Sequence, residues 1–147
     1  MRVLKIFIAV LFISAVVVGS AFLNPSEAYA ATKTIGDCDI IMEVPHASGH
    51  VRGNVTVDPR IKCKTKQRYL GVTAVMERKF PGSQYTWKIS AKRKGGNVNY
   101  MNATPNERCQ KADYRVKADF LIVDNRGVRH GEFGYVSIWK SNPCRLP

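Results

Sequence analysis

The sequence predicts an all-β fold: a small antiparallel β-sandwich with Greek-key, immunoglobulin-like links, stapled by two disulfides. Three observations predict it. Apolar residues recur with period two along most of the chain after Gly36, the mark of half-buried strands. Turn chemistry separates these runs at the spacing of an all-β domain: Pro45 to Gly49, Asp58-Pro59, Pro81-Gly82-Ser83 and Lys94-Gly95-Gly96-Asn97. No window of about a dozen residues carries a 3.6-residue period, and only Asn106 to Ala112 has room for one helical turn. A small closed β-barrel fits the same pattern and is the alternative architecture.

The N-terminus comes first in the chain and is set apart from the fold. Arg2 and Lys5 precede an almost wholly apolar run from Ile6 to Leu23, then Asn24-Pro25-Ser26-Glu27 and Ala28-Tyr29-Ala30. Charge, apolar core, polar break and small residues at −3 and −1 are the layout of a secretory leader, cut after Ala30. The division expected is therefore 1–30 signal peptide and 31–147 a single secreted β domain. Processing leaves 117 residues, with 21 basic and 10 acidic side chains, a net charge of +11. That length holds one core; a multidomain enzyme and a polytopic membrane protein are excluded.

Seven or so strands follow in order. Cys38, Ile40, Met42 and Val44 alternate with polar neighbours, as do Val51, Gly53, Val55 and Val57. Leu70, Val72, Ala74 and Met76 share one parity, and Tyr85, Trp87, Ile89 and Ala91 another. Tyr114, Val116, Ala118, Phe120 and Ile122 make the longest run. Phe133 to Lys140 is apolar on both parities, which predicts a central strand. Trp87 and Trp139 fall inside these runs, and are expected in the core rather than as ligand platforms.

Four cysteines, Cys38, Cys63, Cys109 and Cys144, lie too far apart for metal-binding knuckles, so two disulfides are expected in an exported chain. Asp124-Asn125-Arg126-Gly127 is a hairpin signal. A hairpin centred between Arg126 and Gly127 sets Cys109 opposite Cys144, barring a bulge. Cys38 and Cys63 bracket a first hairpin turning near His46 to His50. The predicted pairs are Cys38–Cys63 and Cys109–Cys144.

The outward parities carry the charge. Lys62, Lys64, Lys66 and Arg68 form one row, Lys88 and Lys92 a second beside Arg93 and Lys94, and Arg115 and Lys117 a third. Neighbouring rows would make a positive stripe that attracts polyanions, more weakly as salt rises. Exposed lysines on edge strands also block aggregation, so charge alone does not name a partner.

Catalytic chemistry finds little support. His46 and His50 flank a turn without a third ligand near in sequence, so no metal and no cofactor is expected. The thiols are consumed by disulfides, and neither a nucleophile elbow nor a phosphate-cradling loop occurs. The best enzymatic rival is a small secreted ribonuclease. It would use Arg129, His130 and Glu132, or Glu77 beside Arg78 and Lys79, as acid, base and phosphate-binding cations.

The opening, Cys38-Asp39-Ile40 through Val44-Pro45-His46-Ala47-Ser48 to Val51-Arg52-Gly53-Asn54-Val55-Thr56-Val57 and Cys63, resembles small secreted proteins of Gram-positive bacteria, most without an assigned activity. The resemblance implies a wall or medium location and supplies no catalytic residues. The function expected is that of a secreted, monomeric binding protein rather than an enzyme. Its partner would be an anionic cell-envelope polymer such as teichoic acid, with nucleic acid and anionic lipid as further polyanions the same charge fits. The alternatives are an antimicrobial or toxin-like factor and the ribonuclease.

Overall fold

Among the described residues, 31–144 of a computed structural model, every regular element is a strand. The expected leader, residues 1–30, lies outside the described residues, as do residues 145–147. The strands are β1 (Ala31–Ile35), β2 (Cys38–Met42), β3 (His46–Ala47), β4 (Asn54–Thr56), β5 (Arg60–Gln67) and β6 (Tyr69–Lys79). They continue with β7 (Thr86–Gly95), β8 (Val98–Asn102), β9 (Asn106–Arg108), β10 (Asp113–Val123), β11 (Arg129–Val136) and β12 (Lys140–Ser141). The one helical turn allowed for Asn106 to Ala112 is instead the short strand β9 and its exit, because Asn106 to Arg108 pair with Asn54 to Thr56.

All pairing is antiparallel. One sheet runs β1-β2-β5-β8, a second β11-β10-β6-β7 with β12 also on β10, and a third β3-β4-β9. The sheets are not closed into a barrel. A long bent hairpin ties the first two together. β5 and β6 are separated only by Arg68, β7 and β8 only by Gly96 and Asn97. Gln67 pairs Val98 in the same register as Leu70 pairs Gly95, so the ribbon passes from sheet to sheet without slipping. Its bulge between Lys62 and Gln67 is held by Asp37, whose carboxylate accepts hydrogen bonds from the Thr65 amide at 3.2 Å and from Gln67 Nε2 at 3.1 Å. The Thr65 hydroxyl donates to the same group.

Alternation puts the even-numbered residues of β6 and β10 inside. Leu70, Val72, Met76, Val116, Phe120 and Ile122 pack against Ile40, Met42 and Ile61 of the first sheet in one core. Each such side chain contributes about 1.5–3 kcal/mol when fully buried. Tyr114 is also fully buried, and its phenolic oxygen accepts the Gln110 amide at 2.8 Å, so the polar end carries no unpaired penalty.

Both predicted disulfides are present. Cys38 and Cys63 stand directly opposite across β2 and β5, and the hairpin between them turns over residues 48–53. The second hairpin is offset from the expected centre. Val123 pairs Arg129, Ala118 pairs Tyr135 and Asp113 pairs Ser141, so the register slips twice on the way to the bridge. The slip begins at the turn: Gly127, at φ 86°, adds a left-handed residue after the Asp124–Gly127 turn. Asp124 Oδ1 holds that loop by accepting the Arg126 and Val128 amides, each at 2.9 Å. The first slip removes the offset at Ala118 and Tyr135, the second overshoots by one residue at Asp113 and Ser141, and Cys109 still meets Cys144 beyond the paired residues.

Several expected core positions are outside. Phe133 to Lys140 is not a central strand: β11 is the outermost strand of its sheet, with Phe133 73% and Ile138 65% exposed. Its two-parity pattern has another cause. A bulge at Gly134 reverses the faces, so Phe133 points outward while Tyr135 packs against the core. Trp87 is 63% exposed and Trp139 38%, which corrects their core placement. Each is covered by a guanidinium instead, Arg78 lying 5.9 Å from the Trp87 ring and Arg115 4.4 Å from Trp139. Tyr85 precedes β7 and is exposed, while Val51 and Gly53 sit in the first turn.

Candidate functional site

Register assigns every charged side chain of the second sheet to a face. Opposite Leu70, Val72, Ala74 and Met76 on the core side stand Gly95, Arg93, Ala91 and Ile89, so Lys88, Lys92 and Lys94 of β7 project outward. On β10 the outward residues are Asp113, Arg115, Lys117, Asp119, Leu121 and Val123. The outer face thus carries seven cations, Lys79, Lys88, Lys92, Lys94, Arg115, Lys117 and Arg129, against three carboxylates, Glu77, Asp113 and Asp119.

Glu77 anchors this face. Its side chain is 3% exposed, yet it bonds Arg115 Nε at 2.6 Å and lies 3.1 Å from Lys117 Nζ and 3.8 Å from Lys88 Nζ. Burial pushes the carboxyl up, but hydrogen bonds and charge from Arg115 and Lys117 outweigh it and hold Glu77 below its ordinary value. A carboxylate kept ionised by three cations is a poor proton acceptor. It fixes the cations in place and leaves the cluster with net positive charge. Arg115 is held on its other side by Trp139.

Of the eight residues expected to bind polyanions, the structure therefore brings four together: Lys88, Lys92, Arg115 and Lys117. Lys62, Lys64, Lys66 and Arg68 belong to β5 and its exit, on the other sheet, and make a separate patch. Lys62 faces Asp39 on one side and Tyr100 on the other. Lys64 and Lys66 fall in the bulge, where Thr65 is exposed beside them, so alternation breaks. Lys94 and Arg129 complete the better face. A count of register outward from the Pro81-Gly82-Ser83 turn would have placed Lys94 in line with Lys92.

The same face has a depression of about 220 Å³, lined by Tyr69, Gly71, Thr73, Lys92, Lys94, Asp119, Leu121 and Phe133. Gly131, Leu121, Gly71 and Lys94 lie in one row across the four strands; Gly71 lines the floor, and the Phe133 ring lies over Gly131.

The residues of the ribonuclease alternative do not converge. Arg129 faces outward with Val123, while His130 and Glu132 take the opposite face with Ile122 and Phe120. His130 Nε2 lies 3.6 Å from Asp124 Oδ2, and Glu132 is paired to Lys33 Nζ at 2.6 Å. Arg78 is turned away from Glu77 to pair Glu107 at 2.7 Å. His46 and His50 instead line a polar cavity of about 540 Å³ with Glu43, Asp58, Arg60 and Asn102. Arg60 is paired there to Glu43 and, at 3.1 Å, to Asp58. Among the described residues, no group of three or more His, Cys, Asp or Glu side chains is placed to hold a metal ion.

Among the same residues, no helix is long and apolar enough to cross a membrane. No family model, curated protein or solved structure matches this chain.

Proposed function

We propose that the chain is an exported, disulfide-stapled binding protein of the Gram-positive envelope or medium. It engages an anionic cell-envelope polymer such as teichoic acid through the outer face of β7, β6 and β10. The observation that carries this reading is the surplus of cations on that one face, three of them gathered around a buried Glu77. A cationic surface attracts a polyanion at long range, and Arg115 and Lys117, already held by Glu77, lose little further freedom on contact. Two disulfides fit an oxidising location outside the cell. The Lys62 row lies on the other sheet, where Lys62 stands opposite Asp39.

The test uses the oxidised chain from Ala31 and purified Gram-positive cell walls, with teichoic acid present or stripped. Retention should require the polymer and fall by roughly tenfold or more between about 50 mM and about 200 mM salt. Equal retention on stripped walls, or binding indifferent to salt, would reject the reading.

A further inference from the structure

We propose that the depression floored by Gly71 is a saccharide subsite. It seats a pyranose ring of the bound polymer between Tyr69 and Phe133, with the polymer's negative group on Lys92 and Lys94. This inference rests on the polyanion reading of the same face and names the polymer's chemistry: a glycan carrying carboxylate or phosphate.

Three features of the groove point there. The first is its aromatic wall. Phe133 is 73% exposed and leans over Gly131, where any side chain would collide with its ring. Tyr69 lies across Gly71, its ring 3.4 Å from where a β-carbon would stand. Two rings thus lie along a floor made of backbone and Leu121, and an aromatic face packs well against an apolar C–H surface.

The second is the opposite wall. Lys92 and Lys94 stand on β7, three strand spacings or about 14 Å from β11. That separates the Phe133 ring from the cations by more than one sugar width, with Tyr69 of β6 between them, so a residue stacked on Phe133 leaves its neighbour's charge to be paired. The third is Asp119. Its Oδ1 accepts the Gly134 amide at 2.7 Å, and its other oxygen has no partner among the described residues. With the Thr73 hydroxyl beside it, this carboxylate is set to accept sugar hydroxyls. A nucleobase could stack on the same rings, which makes oligo-dT the competing probe.

The test compares three probes at low salt: polygalacturonate, which has acidic rings; polyglycerol phosphate, which has charge without rings; and oligo-dT. Phe133→Ala removes one wall. Gly71→Val fills the floor at a position with no positive φ, where a strand accepts a β-branched residue. Each variant should weaken polygalacturonate binding about tenfold and leave polyglycerol phosphate within about twofold. Thermal unfolding checks that both variants fold, and if one does not, the other carries the comparison. Equal losses on both polymers, no loss on either, or a loss confined to oligo-dT would overturn the saccharide subsite while the polyanion reading stands. Failure of the unaltered chain to bind any of the three would overturn both.

Discussion

Glu77 is the residue on which the geometry of the cationic face depends. It is 3% exposed and bonded to side chains of β10, with Lys88 of β7 close by. Glu77→Gln leaves three cations facing one another without their counter-charge. Because Arg115, Lys117 and Lys88 keep some contact with water, the cost should be about 2 kcal/mol, below the full price of breaking a wholly buried pair. Urea unfolding of the variant measures it. A pH dependence follows from the same contacts. Glu77 and Asp37 both titrate below their ordinary values in the folded chain. For Asp37 the main cause is the Thr65 hydroxyl, which outweighs the opposing effect of burial. A depressed folded value means the stabilisation is complete above the unfolded carboxylate range of about 4 and is lost as pH falls through the lower folded value. Stability should therefore decline steadily below about pH 4, and less steeply in Glu77→Gln. An identical acid profile in that variant would show that Glu77 contributes nothing to it. From sequence, Glu77 was visible only as an acid beside Arg78 and Lys79. Its true partners are on other strands, and Arg78 is turned to Glu107.

Elements were most legible where alternation meets burial on a central strand. β10 alternates without a break and β6 does so from Tyr69 to Met76, and each lies between two neighbours, so the pattern reports their burial directly. β7 and β11 misled for a common reason. An edge strand has a paired neighbour on one side only, and its apolar residues extend past the core, as Trp87 does. Periodicity carries no information about position in a sheet. The bulge at Gly134 adds to this by switching faces inside β11. The Cys109–Cys144 pair was legible from hairpin arithmetic because the register never departs from the expected one by more than a residue. β12 contributes only two residues to β10, Lys140 and Ser141, so the bridge is its principal tether. Replacing both cysteines with alanine should cost about 3 kcal/mol and raise amide exchange at Asp113 and Tyr114. Unchanged protection at those amides would show that β12 holds its place without the bridge.

At the scale of the whole molecule, the sandwich decides which charges cooperate. Eight basic residues looked alike as outward positions on alternating strands, but they divide between two sheets that share a core and face away from each other. Strand parity gives inside and outside; it does not say which outside. The bent ribbon from Arg60 to Asn102 is the reason, since it places Lys62 and Lys88 on different sheets although both lie on one continuous hairpin. The central claim is that the β7–β6–β10 face, and not the β5 row, binds the anionic polymer. Two charge-reversed chains test it most directly: Lys88→Glu, Lys92→Glu and Lys94→Glu together, and Lys62→Glu, Lys64→Glu and Lys66→Glu together. Both change net charge equally, so any non-specific effect is shared. Titrated against teichoic acid at low salt, the first should lose at least about tenfold in affinity and flatten the salt dependence, while the second stays within about threefold. Equal losses in the two chains, or a larger loss in the second, would contradict the account.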